Sequence, residues 1–213
     1  PTFHEDEIAK RRAEAQTILR QRDDNPAARA VDAVMELLYT RPHPYGLPPK
    51  GTAAGIERIS RGDLAAFHSR RCRPGALSVA IVGDIAASHA VHRARLELED
   101  WTAEPPDVIG IPSTSRGTGG REALIPMPGK PQTEIAYGFV TIRRLDPRYY
   151  AYWLMNGSLG QCGVGGRLAD NIRERQGMAY YAFSTLDAAH GEAPLLIRAG
   201  VDPANVEAAL AAI

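Results

Sequence analysis

Arg173 and Tyr180, seven positions apart, are the two side chains whose chemistry could combine around an oxygen atom. A guanidinium presents a rigid fork of N–H donors and a phenol adds an O–H, a pair suited to a carbonyl or a carboxylate. The stretch that holds them, Arg167 to Thr185, predicts that they meet: it reads as an amphipathic helix, a stop and a strand. Leu168 and Ile172 fall on one helical face, with Arg167, Asp170, Arg173 and Glu174 at the polar positions. Gly177 is the natural stop, because glycine alone enters the left-handed conformation without steric cost. Met178 to Ser184 is then dense in aromatic and apolar residues, as a strand is. Arg173 on the last helical turn and Tyr180 early in the strand thus flank one tight corner. Such a junction also carries arginine and tyrosine for packing and solubility, so the rest of the chain must decide what the pair does.

The elements around the corner follow from the same rules. Ala123 to Met127 and Thr133 to Thr141 are strand candidates, the second with Ile135, Tyr137 and Phe139 on one alternating face. Asp146-Pro147 opens a helix carrying Tyr150, Leu154 and Leu159. The glycine-rich run Gly160 to Gly166 lacks the Lys-Ser or Lys-Thr of a phosphate loop and is expected to be a flexible entry to the Arg173 helix. Ala193 to Val201 reads as a strand, and Asp202-Pro203 starts a last helix. The order from Arg121 onward is β, β, α, α, β, β, α, an α+β arrangement.

Upstream, Glu5 to Arg22 is a long charged helix. Asn25 caps the next one, Pro26 takes its first position, and Val31, Val34, Met35 and Leu38 form an apolar stripe that needs a sheet or helix against it. Arg41 to Thr52, with four prolines and two glycines, is a rigid loop. Ser60 to Asp63 matches a capping box before Leu64, Phe67 and His68. Ala76 to Val82 reads as a buried strand and Ser88 to Asp100 as a helix. Thr102 to Gly120, rich in proline, glycine, serine and threonine, reads as a linker.

Composition excludes several classes of function. Twenty-five basic residues balance 25 acidic ones among 213, so nothing points to nucleic acid or an anionic membrane. No apolar run approaches the roughly 20 residues of a membrane span. Cys72 and Cys162 lack metal spacing and read as two free thiols. The chain opens at Pro1 without methionine and stops at Ile213 inside a predicted helix, so a fragment of a longer protein is expected, with any signal peptide upstream.

Taken together, these pieces resemble one family. His43-Pro44-Tyr45-Gly46, Gly51-Thr52, Asp63-Leu64, Phe67, Pro74 and Val82-Gly83-Asp84 resemble the closing half of a first domain of the M16 (pitrilysin, insulinase and mitochondrial processing peptidase) family. Arg167-Leu168, Arg173, Glu174, Gly177, Ala179 and Tyr180 resemble its second-domain motif. The resemblance implies an M16 (LuxS/MPP-like metallohydrolase) fold, α+β, with mostly antiparallel sheets packed by helices. Residues 1–103 would be the back half of a first domain, 104–120 a linker and 121–213 a truncated second domain. It also implies the substrate-binding, non-catalytic half of a zinc metalloendopeptidase, inactive alone, presenting Arg173 and Tyr180 to a peptide opposite zinc held by a partner subunit or domain.

Zinc in this family is bound by His-x-x-Glu-His and a distant glutamate, and no His-x-x-Glu-His occurs here. Counting back eight positions from Pro26, the third-ligand position is Ile18, which cannot bind metal; Glu14, one helical turn away, would need a register shift. His89 and His92 have chelating spacing without a third ligand, and His4, His43, His68 and His190 stand singly in the sequence. We therefore expect no catalytic or metal-binding residue in this stretch, and zinc in the partner half. A non-proteolytic scaffold subunit and an active protease with its metal site upstream are the alternatives. The compartment is open, with the bacterial periplasm as the expectation.

Overall fold

Asn25 and Pro26 start a helix as their chemistry requires. The Asn25 carboxamide oxygen accepts from the Ala28 amide at 3.1 Å, and Pro26 opens the helix α2, Pro26–Leu38. It follows α1, Glu5–Asp23, and the forked contact of Arg22 with Asp32, 3.0 Å from Nε, joins the two. The structure, a computed structural model, describes every residue except 1, 41, 104–109, 115–118 and 162–165. Much of the expected linker and part of the glycine-rich run, Cys162 included, therefore lie outside the described residues.

The chain gathers into two compact units. One is Pro1–Ala15 with Ala54–Gly110; the other is Gln16–Ala53 with Ile111–Ile213. The second unit contains the sheet, in the order β1 (Thr133–Val140), β3 (Pro194–Val201), β2 (Ala179–Leu186), antiparallel throughout. One face packs on Leu168 and Ile172 and on α7, Val206–Ala212, around Ile135, Ala182, Ile197, Ala199 and Val201. The alanines are what let helices approach the sheet closely. On the other face the apolar stripe of α2 finds its partner: a Cβ on Gly138 of β1 would lie 2.9 Å from Leu38 and 3.2 Å from Val34. That glycine is the socket into which α2 fits.

The first unit holds the start of α1, nearly all of α3 (Ala53–Arg58), α4 (Arg61–Arg71) and α5 (Ala87–Leu98). Ser60 caps α4 reciprocally with Asp63, whose carboxylate accepts from the Ser60 amide at 2.8 Å. Two expected strands are corrected here. Residues 77–82 join no ladder among the described residues, and their apolar side chains stand open, from 45% exposed at Leu77 to 96% at Val82. Residues 123–127 form no ladder either, with Leu124 88% exposed and Pro126 lacking a donor. Among the described residues no helix is long and apolar enough to cross a membrane.

Candidate substrate-binding corner

The helix that brings Arg173 to the corner is wound as a π-helix, Ala169–Arg175, a form that is rare and concentrates at functional sites. The Gln176 amide reaches the Asn171 carbonyl at 3.2 Å, the five-residue spacing of that winding. Leu168 and Ile172 are anchored in the core at 4% and 0% exposure. Gly177, at φ +63°, closes the helix, with its amide on Arg173 O at 3.1 Å and the Met178 amide on Ile172 O at 3.0 Å. Both closing bonds span one residue more than in an ordinary Schellman end, as the wider coil demands. Beside the buried Ile172, Arg173 faces out. Its side chain is 45% exposed and loosely paired with Glu174, Nε to Oε1 3.5 Å.

Tyr180 is exposed for a different reason. Ala179 pairs with Val201 and Tyr181 with Gly200, so β2 advances two residues while β3 advances one. Tyr180 is the extra residue of a β-bulge, a feature that re-aims side chains beside active sites. It is 75% exposed, between Ala179 at 8% and the half-buried Tyr181. The corner thus presents a guanidinium and a phenol outward from backbone that is fixed on both sides by buried neighbours.

The glycine-rich run corrects an expectation of looseness where it is described. Gly157–Gln161 continues α6, Tyr149–Asn156, as a π-helical turn. A Cβ on Gly160 would come within 2.8 Å of the Ser184 amide nitrogen, and one on Gly166 within 2.6 Å of Gly160 Cα. These glycines let backbone lie on backbone under the Arg173 helix. Asn156, fully buried at their edge, donates from Nδ2 to Gln161 Oε1 at 3.0 Å, and its Oδ1 has no partner among the described residues. Sequence reasoning missed Asn156 and also missed the pair formed by Tyr181 and Glu134, whose side chains are hydrogen-bonded between β2 and β1. Burial, then the bond to Glu134, push the Tyr181 phenol up to about 12, against a weaker opposing pull from Arg198. The two residues lie 47 apart, so only the strand register could have revealed them.

The histidines divide by environment. His4, His89, His92 and His190 are exposed, and His68 stands edge-on to Phe3 at 5.7 Å. His43 is buried and fully engaged: Nδ1 accepts from the Tyr45 amide at 3.1 Å, which leaves the Nε2 hydrogen for the Pro112 carbonyl at 3.1 Å. Cys72 is an exposed free thiol.

Residues 58–213 match the family described as the peptidase M16 inactive domain. The chain belongs to that family. Among relatives, an uncharacterized zinc protease of Mycobacterium leprae is 30% identical over 171 residues, 78% of this chain and 37% of that protein. One from Mycobacterium tuberculosis is 28% identical over 167 residues, again 78% of this chain and 38% of that one. Among solved structures, the peptidase M16 inactive domain from Pseudomonas fluorescens superposes with a TM-score of 0.89 at 28% identity, covering 99% of this chain and 50% of that one. A protease from Helicobacter pylori, at 23% identity and TM-score 0.86, shares the fold over 98% of this chain and 51% of its own. The chain therefore spans well under half the length of the curated M16 relatives it matches and about half of the solved chains.

Around the expected third-ligand position, the described residues offer no set of metal donors. Ile18, at the expected third-ligand position, is 43% exposed and carries no donor atom. Glu14 is occupied by Arg11 at 2.7 Å. Among the described residues, no group of three or more His, Cys, Asp or Glu side chains could hold a metal ion.

Proposed function

We propose that this M16 chain is the substrate-holding, non-catalytic half of a zinc endopeptidase whose metal is carried by a partner subunit or domain. Arg173 binds a carbonyl of the peptide. The Tyr180 hydroxyl donates to the oxygen that gains negative charge when the scissile bond is attacked. The observation that carries this reading is the way the two groups are displayed: one from the closed end of a π-helix, one from a bulge, both exposed beside buried neighbours. A donor held in place before charge develops costs no reorganisation when the reaction occurs, which is why one such donor contributes roughly 3–4 kcal/mol.

The test is peptide hydrolysis by the full-length protein mixed with its zinc-bearing partner. Tyr180→Phe and Arg173→Ala are expected to lower kcat by about 100-fold or more each while leaving the unfolding midpoint unchanged. Hydrolysis that continues at the original rate in both variants would remove the roles assigned to them. A mixture that assembles without cleaving any unfolded peptide would instead point to the scaffold alternative.

A further inference from the structure

Tyr180 leaves the sheet because β2 has one residue too many at that point, and something must determine which residue it is. The sequence offers two candidates in succession, Tyr180 and Tyr181. Downstream, volume decides: Ala182 and Ser184 face the packed side, at 4% and 0% exposure, where Tyr181 and Phe183 would not fit if β2 paired without a bulge. At the bulge itself a second device operates on the opposite face.

Glu134, Gly200 and Tyr181 occupy one row across the three strands, Glu134 paired with Gly200 and Tyr181 paired with Gly200. Adjacent strands lie about 4.8 Å apart, so β2 and β1 are separated by roughly 9.5 Å, and a side chain crosses that distance only if nothing stands on the middle strand. Gly200 leaves the way clear. A Cβ there would lie 2.7 Å from Tyr181 Cε1 and 3.2 Å from Cδ1, so the ring rests directly on the backbone of β3. Its hydroxyl then donates to Glu134 Oε2 on the far strand. On the next row, Phe183 lies 5.5 Å from the Tyr181 ring, with the Arg198 guanidinium 5.2 Å above Phe183. The phenol is held at its tip, along one flank and across its lower face.

We propose that Glu134, Tyr181 and Gly200 form a cross-strand clamp that fixes the bulge at residue 180, making Glu134 and Tyr181 positioning residues for the Tyr180 hydroxyl. The positioning role rests on the reading of Tyr180 given above; the clamp itself does not. With Tyr181 pinned in its row, the surplus residue can only be the one before it. With the clamp released, the bulge is free to spread toward Met178, and Tyr180 loses its fixed aim.

The experiment pairs two readouts on the full-length protein with its zinc-bearing partner: amide hydrogen exchange over residues 179–182, and kcat and KM for an unfolded peptide. Glu134→Ala and Tyr181→Phe are expected to speed exchange in that segment and to lower kcat about 10-fold with KM little changed, since a misplaced catalytic donor costs rate more than binding. Glu134→Gln keeps an acceptor for the phenol and is expected to restore most of both. Exchange over 179–182 that is unaltered in Glu134→Ala and Tyr181→Phe overturns the clamp. Faster exchange with unaltered kcat overturns the positioning role. Tyr180→Phe, run alongside, separates the two ideas: if it cleaves normally, the reading of Tyr180 falls and takes the positioning role with it, while exchange alone still judges the clamp.

Discussion

Strand β3 and the segment 77–82 are both short apolar runs, and they end in opposite environments. In β3, Leu195, Leu196, Ile197, Ala199 and Val201 are all at most 6% exposed, because β1 and β2 pair on either edge and helices cover the faces. In the other, Val79, Ile81 and Val82 are 51–96% exposed, and Val79 and Ile81 line an open groove of about 490 Å³ with Val91 and Leu98 of α5. The side chains are alike and the outcomes are not. An apolar pattern nominates a strand, but hydrogen-bonded neighbours on the same sheet are what make one.

The sharpest way to break this comparison is to cut equivalent side chains in the two places. Ile197→Ala should cost about 2–5 kcal/mol, transfer energy plus the cavity left in a core that cannot collapse onto alanine. Val82→Ala should change stability by less than about 0.5 kcal/mol, as surface substitutions do. Urea midpoints at constant m-value would show the difference; equal losses would mean that Val82 is as well packed as β3. Next in size is Gly160→Ala. The new methyl would stand 2.8 Å from a backbone nitrogen of β2, which cannot rotate away as a side chain can. About 1–3 kcal/mol of destabilisation is expected from such overpacking. Smaller again is Ser60→Ala in the first unit, which removes one arm of the reciprocal cap on α4 and should cost about 0.5–2 kcal/mol. A thermal melt resolving no change there would show that α4 does not depend on its cap.

What could be read in advance follows the same division between local and non-local causes. The Asn25 cap, the Ser60–Asp63 box, the stop at Gly177 and the stripe of α2 all depend on residues within a turn or two of one another, and the structure contains each. Val34 and Leu38 announced a buried face; that it rests on Gly138 was not legible, since a glycine socket has no pattern of its own. Ala76 to Val82 and Ala123 to Met127 were misread because pairing is decided elsewhere in the chain. Gly177 placed Arg173 and Tyr180 on either side of one corner. The bulge that turns Tyr180 outward was invisible, because it exists only as a mismatch between two strands. The π winding under Arg173 was equally hidden, for Leu168 and Ile172 fit an α-helical face just as well.

The weakest expected effect comes from the half-buried Tyr181, on the sheet face opposite Ala182 and Ser184. Tyr181 carries a phenol raised to about 12 by burial first and by the bond to Glu134 second. An unfolded tyrosine ionises near 10. Between those values the unfolded chain has given up a proton that the folded chain still holds, so rising pH favours unfolding. The stabilisation from this group is therefore complete below about pH 10 and is lost as pH climbs through about 12. Tyr181→Phe should flatten the fall in urea midpoint across that interval, and the late-ionising share of tyrosine absorbance should shrink with it. Tyr39 does not mask the result. Its hydroxyl, bonded to the Glu192 carbonyl at 2.9 Å, is also pushed upward by burial, and it remains in both proteins. If the variant and the parent lose stability with the same slope above pH 10, the phenol is not held as the row of Glu134, Gly200 and Tyr181 requires, and the clamp loses its second line of support.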